Sequence, residues 1–176
     1  RTHTITPPDI QIYGICPIVI IGEPGLYKSE IAKKIHKISK RRGNFVYLNM
    51  ESCYNSDLQM AIKEAGEGTL CLGRIHRASD RMLKEIARIE EDPFGEIDVK
   101  FVKTAVSWKK EFKDIYLKPL REYSEKEFNS VLEASFPGPQ FKMSEQDYKR
   151  LRNYYWPGNL RELHSVITLA CKRYYN

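Results

Sequence analysis

The residues best suited to chemistry lie in one short stretch, Gly22-Glu-Pro-Gly-Leu-Tyr-Lys28-Ser29. The pattern G-x-x-x-x-G-K-[ST] makes a loop whose backbone N–H groups wrap a phosphate while the lysine meets its oxygens. Gly22, Lys28 and Ser29 fit that pattern, and Tyr27 stands where the second glycine belongs. That glycine is wanted because a missing Cβ permits close approach and unusual backbone angles. A tyrosine there either projects its ring toward the phosphate cradle or forces the loop into another shape, so nucleotide binding is weakened. A helix starting at Ser29 still attracts an anion. The alternative is a tight strand-to-helix turn that binds nothing.

Such a loop needs a strand before it and a helix after it. Short apolar runs at 17–21, 45–48, 69–72 and 99–102 read as buried strands. Helical patterns lie between them. Ile31, Ile35 and Ile38 share a face after Ser29. Met82, Leu83, Ile86 and Ile89 do the same after a cap at Ser79-Asp80. Residues 56–65 fit a short helix. This alternation predicts an α/β fold, a mostly parallel sheet with flanking helices. The last third changes character. A helix over 124–134 starts at the cap Ser124, with Glu127 three residues on. Phe136-Pro-Gly-Pro139 breaks it. A second helix covers 144–154, with Asp147 in capping-box position, and Pro157-Gly158 ends it. Asn159, followed by Glu162, caps a third helix running to about residue 174. The expected division is an α/β core at 1–122 and a helical subdomain at 123–176.

The 176 residues are 41% hydrophobic and 30% charged, as in soluble globular chains and unlike disordered ones. The longest apolar run, 17–21, cannot cross a bilayer. The start, Arg1-Thr-His-Thr-Ile-Thr-Pro-Pro8, lacks the apolar centre of a signal peptide. A cytoplasmic location and no membrane partner are the expectations. The net charge of +6 permits phosphate or nucleic-acid binding. Its charges are interleaved with Asp and Glu, so a solvated surface is the simpler reading. Cys16, Cys53, Cys71 and Cys171 form no CxxC pair and read as reduced core thiols. No metal-ligand spacing is visible, and no metal is expected.

Read in order, the motifs resemble the central AAA+ domain of NtrC-like bacterial enhancer-binding proteins, the activators of sigma-54 RNA polymerase. Gly22-Glu-Pro-Gly-Leu-Tyr-Lys-Ser29 is similar to the family's Walker A segment, usually GESGTGKE. Ile31-Ala-Lys-Lys-Ile-His36 resembles the helix after it. Phe45-Val-Tyr-Leu-Asn49 is similar to FVxVNC, and Gly68-Thr-Leu-Cys-Leu-Gly-Arg-Ile75 to GTLFLDEI, the Walker B strand. Asp98-Val-Lys-Phe-Val102 resembles the sensor I strand. Glu111-Phe-Lys-Asp-Ile-Tyr116 and Lys118-Pro-Leu-Arg-Glu122 echo FREDLY and PPLRE. Tyr155-Trp-Pro-Gly-Asn-Leu-Arg-Glu-Leu163 resembles WPGNVREL, the sensor II motif, and is the most specific match. The resemblance implies a P-loop AAA+ sheet with a C-terminal helical lid. It implies a nucleotide held by Gly22, Glu23, Pro24, Gly25, Leu26, Tyr27, Lys28 and Ser29, with Arg161 reaching it from the lid. Trp156 and Pro157 read as lid packing and turn chemistry.

The departures are as informative as the matches. The family ends its Walker B strand in Asp-Glu, the Asp for Mg²⁺ and the Glu to activate water. Gly73 and Arg74 stand there. Glycine offers no ligand and arginine is no base at neutral pH. Arg74 is then either a surface residue or a phosphate contact. The sensor I polar pair aligns with Ala105 and Val106, although a one-residue slip brings in Thr104 or Ser107. Lys113 takes the place of the first arginine finger, and the second has no counterpart between Tyr116 and Pro119. Only residues 50–67 lie where the family carries a long insertion with its GAFTGA loop.

These features imply a degenerate AAA+ module of a transcriptional regulator, with ATP hydrolysis and sigma-54 remodelling lost and no catalytic residue retained. The implied cofactor is a weakly held ATP, ADP or other nucleotide. With both finger positions lost, a monomer or weakly self-associating chain is expected, and the implied partners are transcription machinery or DNA through regions outside it. Two other functions remain open: a protein- or nucleic-acid-interaction module that binds no nucleotide, and an atypical ATPase using Glu23 as substitute carboxylate.

Overall fold

The computed structural model describes residues 3–5, 18–92, 95–107 and 114–175. Cys16, Pro17, Lys113 and most of the N-terminal stretch 1–8 lie outside the described residues. The chain divides into two compact units, Arg1–Gly22 with Lys28–Leu117, and Glu23–Tyr27 with Lys118–Asn176.

The first unit is built on a six-stranded parallel sheet. Its strands are β1 His3–Ile5, β2 Ile18–Ile21, β3 Phe45–Asn49, β4 Thr69–Gly73, β5 Lys100–Ala105 and β6 Asp114–Leu117. They lie in the order β1-β6-β2-β5-β4-β3. Every residue of β2 and β4 is buried, as inner strands of a parallel sheet require. β3 is an edge strand, and its Tyr47 and Asn49 are exposed. The expected strand at 99–102 is displaced to 100–105, because β2 pairs Ile18–Ile21 against Val102–Ala105. β1 and β6 were not expected from the apolar pattern.

Three helices belong to this unit: α1 Lys28–Ser39, α2 Asn55–Ala65 and α3 Asp80–Glu90. α1 buries Ile31, Ala32 and Ile35. Ile38, expected on that face, is 48% exposed, one turn too near the helix end to reach cover. α3 starts at the cap Ser79, whose Oγ accepts from Met82 N at 3.2 Å. Leu58, Ile62, Leu70, Leu72, Met82, Ile86 and Phe101 form one apolar cluster joining α2 and α3 to the sheet. Burying such a side chain is worth about 1.5–3 kcal/mol. β3 and β4 are joined only by a 3-10 turn, Met50–Ser52, and the eleven-residue α2.

The second unit carries α4 Glu125–Ser135, α5 Glu145–Asn153 and α6 Asn159–Tyr175. Ser124 caps α4 with the reciprocal Glu127 bond, as its spacing predicts. Phe128, Leu132, Trp156, Leu160, Leu163 and Ile167 fill its interior. Trp156 Nε1 donates to Leu151 O at 2.7 Å, so the indole is packed and satisfied.

Asn159 is not the cap it was expected to be. It is fully buried with φ +50°, and its side chain bonds outside the helix. Of the expected core thiols, only Cys53 departs among the described residues. Cys71 and Cys171 are buried, while Cys53 is half-buried, its thiol donating to Tyr54 O.

Candidate functional site

Ligands of open parallel sheets sit beyond the carboxyl ends of the strands. In the first unit those ends are Gly22 after β2, Asn49 closing β3, Gly73-Arg74 at the end of β4, and Val106 after β5. The register draws them together. Gly22 N donates to Ala105 O at 3.0 Å, and Asn49 pairs with Gly73. Lys28 begins α1, and its Nζ donates to Gly22 O at 2.7 Å. Ser29 follows in the first turn.

The end of β4 has a particular shape. A Cβ on Gly73 would stand 2.1 Å from Tyr47 Oη and 2.4 Å from its Cζ. The phenol of the neighbouring edge strand therefore occupies the space where a longer side chain would leave the backbone. Burial, and then the Cys71 thiol, push the Tyr47 phenol above its ordinary pKa. Arg74 follows in the left-handed region, φ +56°, an uncommon conformation for a side chain of this size. Its backbone N donates to Thr104 Oγ1 at 3.4 Å, and its Nη1 pairs with Glu51 Oε2 at 2.5 Å. Ala105 is buried and Val106 exposed, and Val106 N donates to His76 Nδ1 at 3.4 Å. Burial, then the charges of Arg77, Arg74 and Lys28, hold His76 below the usual histidine range.

The donor set here does not suit the Mg²⁺ that a P-loop fold implies. Gly73 has no ligand atom, Tyr47 fills its space, and Arg74 holds the Glu51 carboxylate. Among the described residues no group of three or more His, Cys, Asp or Glu could hold a metal ion.

The rest of the phosphate-loop sequence, Glu23–Tyr27, belongs to the second unit. Glu23 accepts from Arg121 through both carboxylate oxygens and from Asn159 Nδ2 at 3.1 Å. Its carboxylate holds the Arg121 guanidinium firmly protonated. Arg121 in turn lies over the Tyr155 ring, 4.5 Å from its centroid. Glu23 thus serves as a structural anchor, not as a free carboxylate. Asn159 Nδ2 also donates to Pro24 O at 3.0 Å, and its Oδ1 accepts from Leu120 N at 2.8 Å. Gly25 has φ +85°, and a Cβ there would lie 2.0 Å from Gly158 O. Leu26 is buried. Arg161 N donates to Gly25 O at 3.1 Å.

Tyr27 keeps the backbone that its missing glycine would have supplied, φ +54°. Its ring meets His164 edge-on at 5.8 Å, and the Arg161 guanidinium lies 5.5 Å from its centroid. The ring therefore packs on α6 residues of its own unit. Of the residues the sequence pattern named, Gly22, Lys28 and Ser29 stand together at the start of α1, and Arg161 lies in the second unit. The pattern missed Tyr47, Glu51, His76 and the hub role of Asn159. Only the Asn159 role had a signal in sequence, since asparagine, here directly after Pro157-Gly158, tolerates a positive φ.

A parallel sheet with a phosphate-type loop leading into a helix, and a helical unit following it along the chain, is a P-loop α/β fold of the AAA+ type. The comparisons with known proteins agree. No model of a protein family matches the chain. The acetoin catabolism regulatory protein of Cupriavidus necator is 28% identical over 202 aligned positions, covering 87% of this chain and 30% of that protein. The alginate biosynthesis transcriptional regulatory protein AlgB of Pseudomonas putida is 27% identical, covering 87% of this chain and 46% of that protein. The chain thus spans less than half the length of the curated relatives it matches. In the first alignment 202 positions exceed the chain's 176 residues, so the relative carries residues without a counterpart here. Among solved structures, NtrX from Brucella abortus in complex with ATP superposes with a TM-score of 0.75 at 19% identity, over 97% of this chain and 50% of that one. Its complex with ADP gives 0.74 over 92% of this chain and 46% of that one. At that identity the likeness concerns the fold. The chain is thus similar in sequence to part of two bacterial transcriptional regulatory proteins and shares its fold with NtrX.

Proposed function

We propose that this chain is a regulatory AAA+ module that binds a nucleotide without hydrolysing it, within a cytoplasmic bacterial transcriptional regulator. One observation carries the reading: at the end of β4 a phenol fills the space beside Gly73, and Arg74 is paired with Glu51. Neither a metal ligand nor a general base stands where hydrolysis needs them. Lys28, Ser29, Gly22 and the amino end of α1 suit the phosphates of a nucleotide. The complexes of NtrX with ATP and ADP support the same class of ligand. Glu23 is committed instead to Arg121 and Asn159, and the Tyr27 ring to Arg161 and His164. The short β3–β4 connection supports the loss of sigma-54 remodelling. Self-association and action on DNA or the transcription machinery through other regions complete the reading.

The test is release of inorganic phosphate from ATP with Mg²⁺. No turnover is expected, and even about one event per minute, abolished by Lys28→Ala, overturns the reading. A second reading, an interaction module that takes no nucleotide, is favoured by the Tyr27 ring lying against Arg161. A fluorescent ATP analogue and a panel including cyclic dinucleotides separate the two. Saturable binding lost in Lys28→Ala supports the first, and no binding at millimolar concentration supports the second.

A further inference from the structure

We propose that Arg74 substitutes for a divalent cation, so that the first unit receives a nucleotide polyphosphate as the free anion. Arg74 exchanges its Glu51 carboxylate for phosphate oxygens when the nucleotide enters. The inference rests on the nucleotide reading above and adds its metal dependence and its gating group.

Three observations carry it. The place from which a carboxylate would hold a metal is filled by Tyr47 Oη, 2.1 Å from an ideal Cβ on Gly73. The adjoining residue brings a permanent positive charge to the same strand end, and its guanidinium matches phosphate oxygens in planar, two-point fashion. The left-handed backbone of Arg74, with its N–H on Thr104 Oγ1, fixes where that side chain leaves the sheet. Its present partner is only a loose hold. The Arg74 and Glu51 side chains are 46% and 44% exposed, and solvent screens such a pair, so a multiply charged phosphate outcompetes one carboxylate. Burial first, and then the charges of Arg77, Arg74 and Lys28, hold His76 below the usual histidine range.

Divalent cations ordinarily neutralise polyphosphate before a protein binds it. A site whose own arginine does so loses little when the metal is removed. The experiment is titration of the full chain with a fluorescent ATP analogue, in Mg²⁺ and in excess EDTA, with melting curves as folding controls. The affinity in EDTA is expected within about threefold of that in Mg²⁺. Arg74→Ala is expected to weaken the EDTA affinity about tenfold or more, through loss of a charge-assisted contact. Glu51→Gln, which releases the guanidinium, is expected to tighten binding about threefold. Arg74→Lys, which keeps the charge without the planar geometry, provides the test if the alanine variant fails to fold, and falls between the two. Binding that appears only with Mg²⁺ overturns the proposal and leaves the nucleotide reading standing. Binding in neither condition overturns both. Unchanged EDTA affinity in Arg74→Ala overturns the role of Arg74 alone.

Discussion

Replacing Asn159 by aspartate should turn a pH-insensitive hub into a pH-dependent fault. The native amide has one orientation that satisfies all three neighbours. Oδ1 accepts from Leu120 N at 2.8 Å, while Nδ2 donates to Glu23 Oε2 at 3.1 Å and Pro24 O at 3.0 Å. Residue and partner are both inaccessible, since Asn159 and Leu120 have 0% exposure. Asn159→Ala removes three bonds worth about 1 kcal/mol each net and leaves a buried N–H unpaired. The left-handed backbone adds about 1 kcal/mol more for alanine. The sum, about 4 kcal/mol, lowers the melting temperature of the 176-residue chain by about 8–16 °C. That deficit should be flat with pH. Asn159→Asp keeps the shape, the tolerated backbone and the Leu120 bond. It sets a carboxylate oxygen against two acceptors that previously met an N–H donor. The charged form is penalised, so the folded pKa of the new carboxyl rises above its unfolded value of about 3.9. The sign follows from linkage. A raised folded pKa leaves stability intact below the unfolded pKa and removes it as pH climbs to the folded one. Relative to the native chain, Asn159→Asp should be nearly normal near pH 4 and clearly weaker at pH 7. Thermal melts of the three proteins across that range provide the assay. A variant as stable as the native chain at pH 7, or a deficit that widens on acidification, would refute the hub assignment.

Gly25→Ala should cost about 3 kcal/mol or more, because the new Cβ meets the backbone oxygen of Gly158 rather than a side chain that can swing away. Gly66→Ala also meets a positive φ, with ψ −125° outside the left-handed helical region but open space around it, and should cost about 1–3 kcal/mol in denaturant titrations from backbone strain alone. Burial pushes the Cys71 thiol up to about 12, whereas Cys53 is only half-buried. On single-cysteine variants at pH 8, a thiol reagent should label Cys53 and spare Cys71 until denaturant is added. The Cys71 contribution to stability is full below the ordinary thiol pKa and is lost as pH rises toward 12, so unfolding should steepen there.

Local rules carried much of this molecule. Apolar runs located the strands β2, β3 and β4, since a strand covered on both faces needs little else. Ser79 and Ser124 announced their helices, because a cap acts within one turn of chain. The spacing of Gly22, Lys28 and Ser29 announced the strand, loop and helix that follow one another there. β1 and β6 were missed because they are short and gain their order from neighbours in the sheet. Asn159 was misread because its spacing to Glu162 mimics a capping box, while its real partners, Glu23 and Leu120, are remote in sequence.

The residue types at the end of β4 were plain from the sequence alone: a glycine and an arginine where the family that the motifs resemble carries two acids. What fills the resulting space was not. Tyr47 reaches Gly73 only because β3 pairs in parallel with β4 in one register, and Glu51 meets Arg74 only because the turn after β3 ends beside them. A missing side chain is a local fact, whereas its replacement comes from another strand, and strand pairing is set by the sheet as a whole.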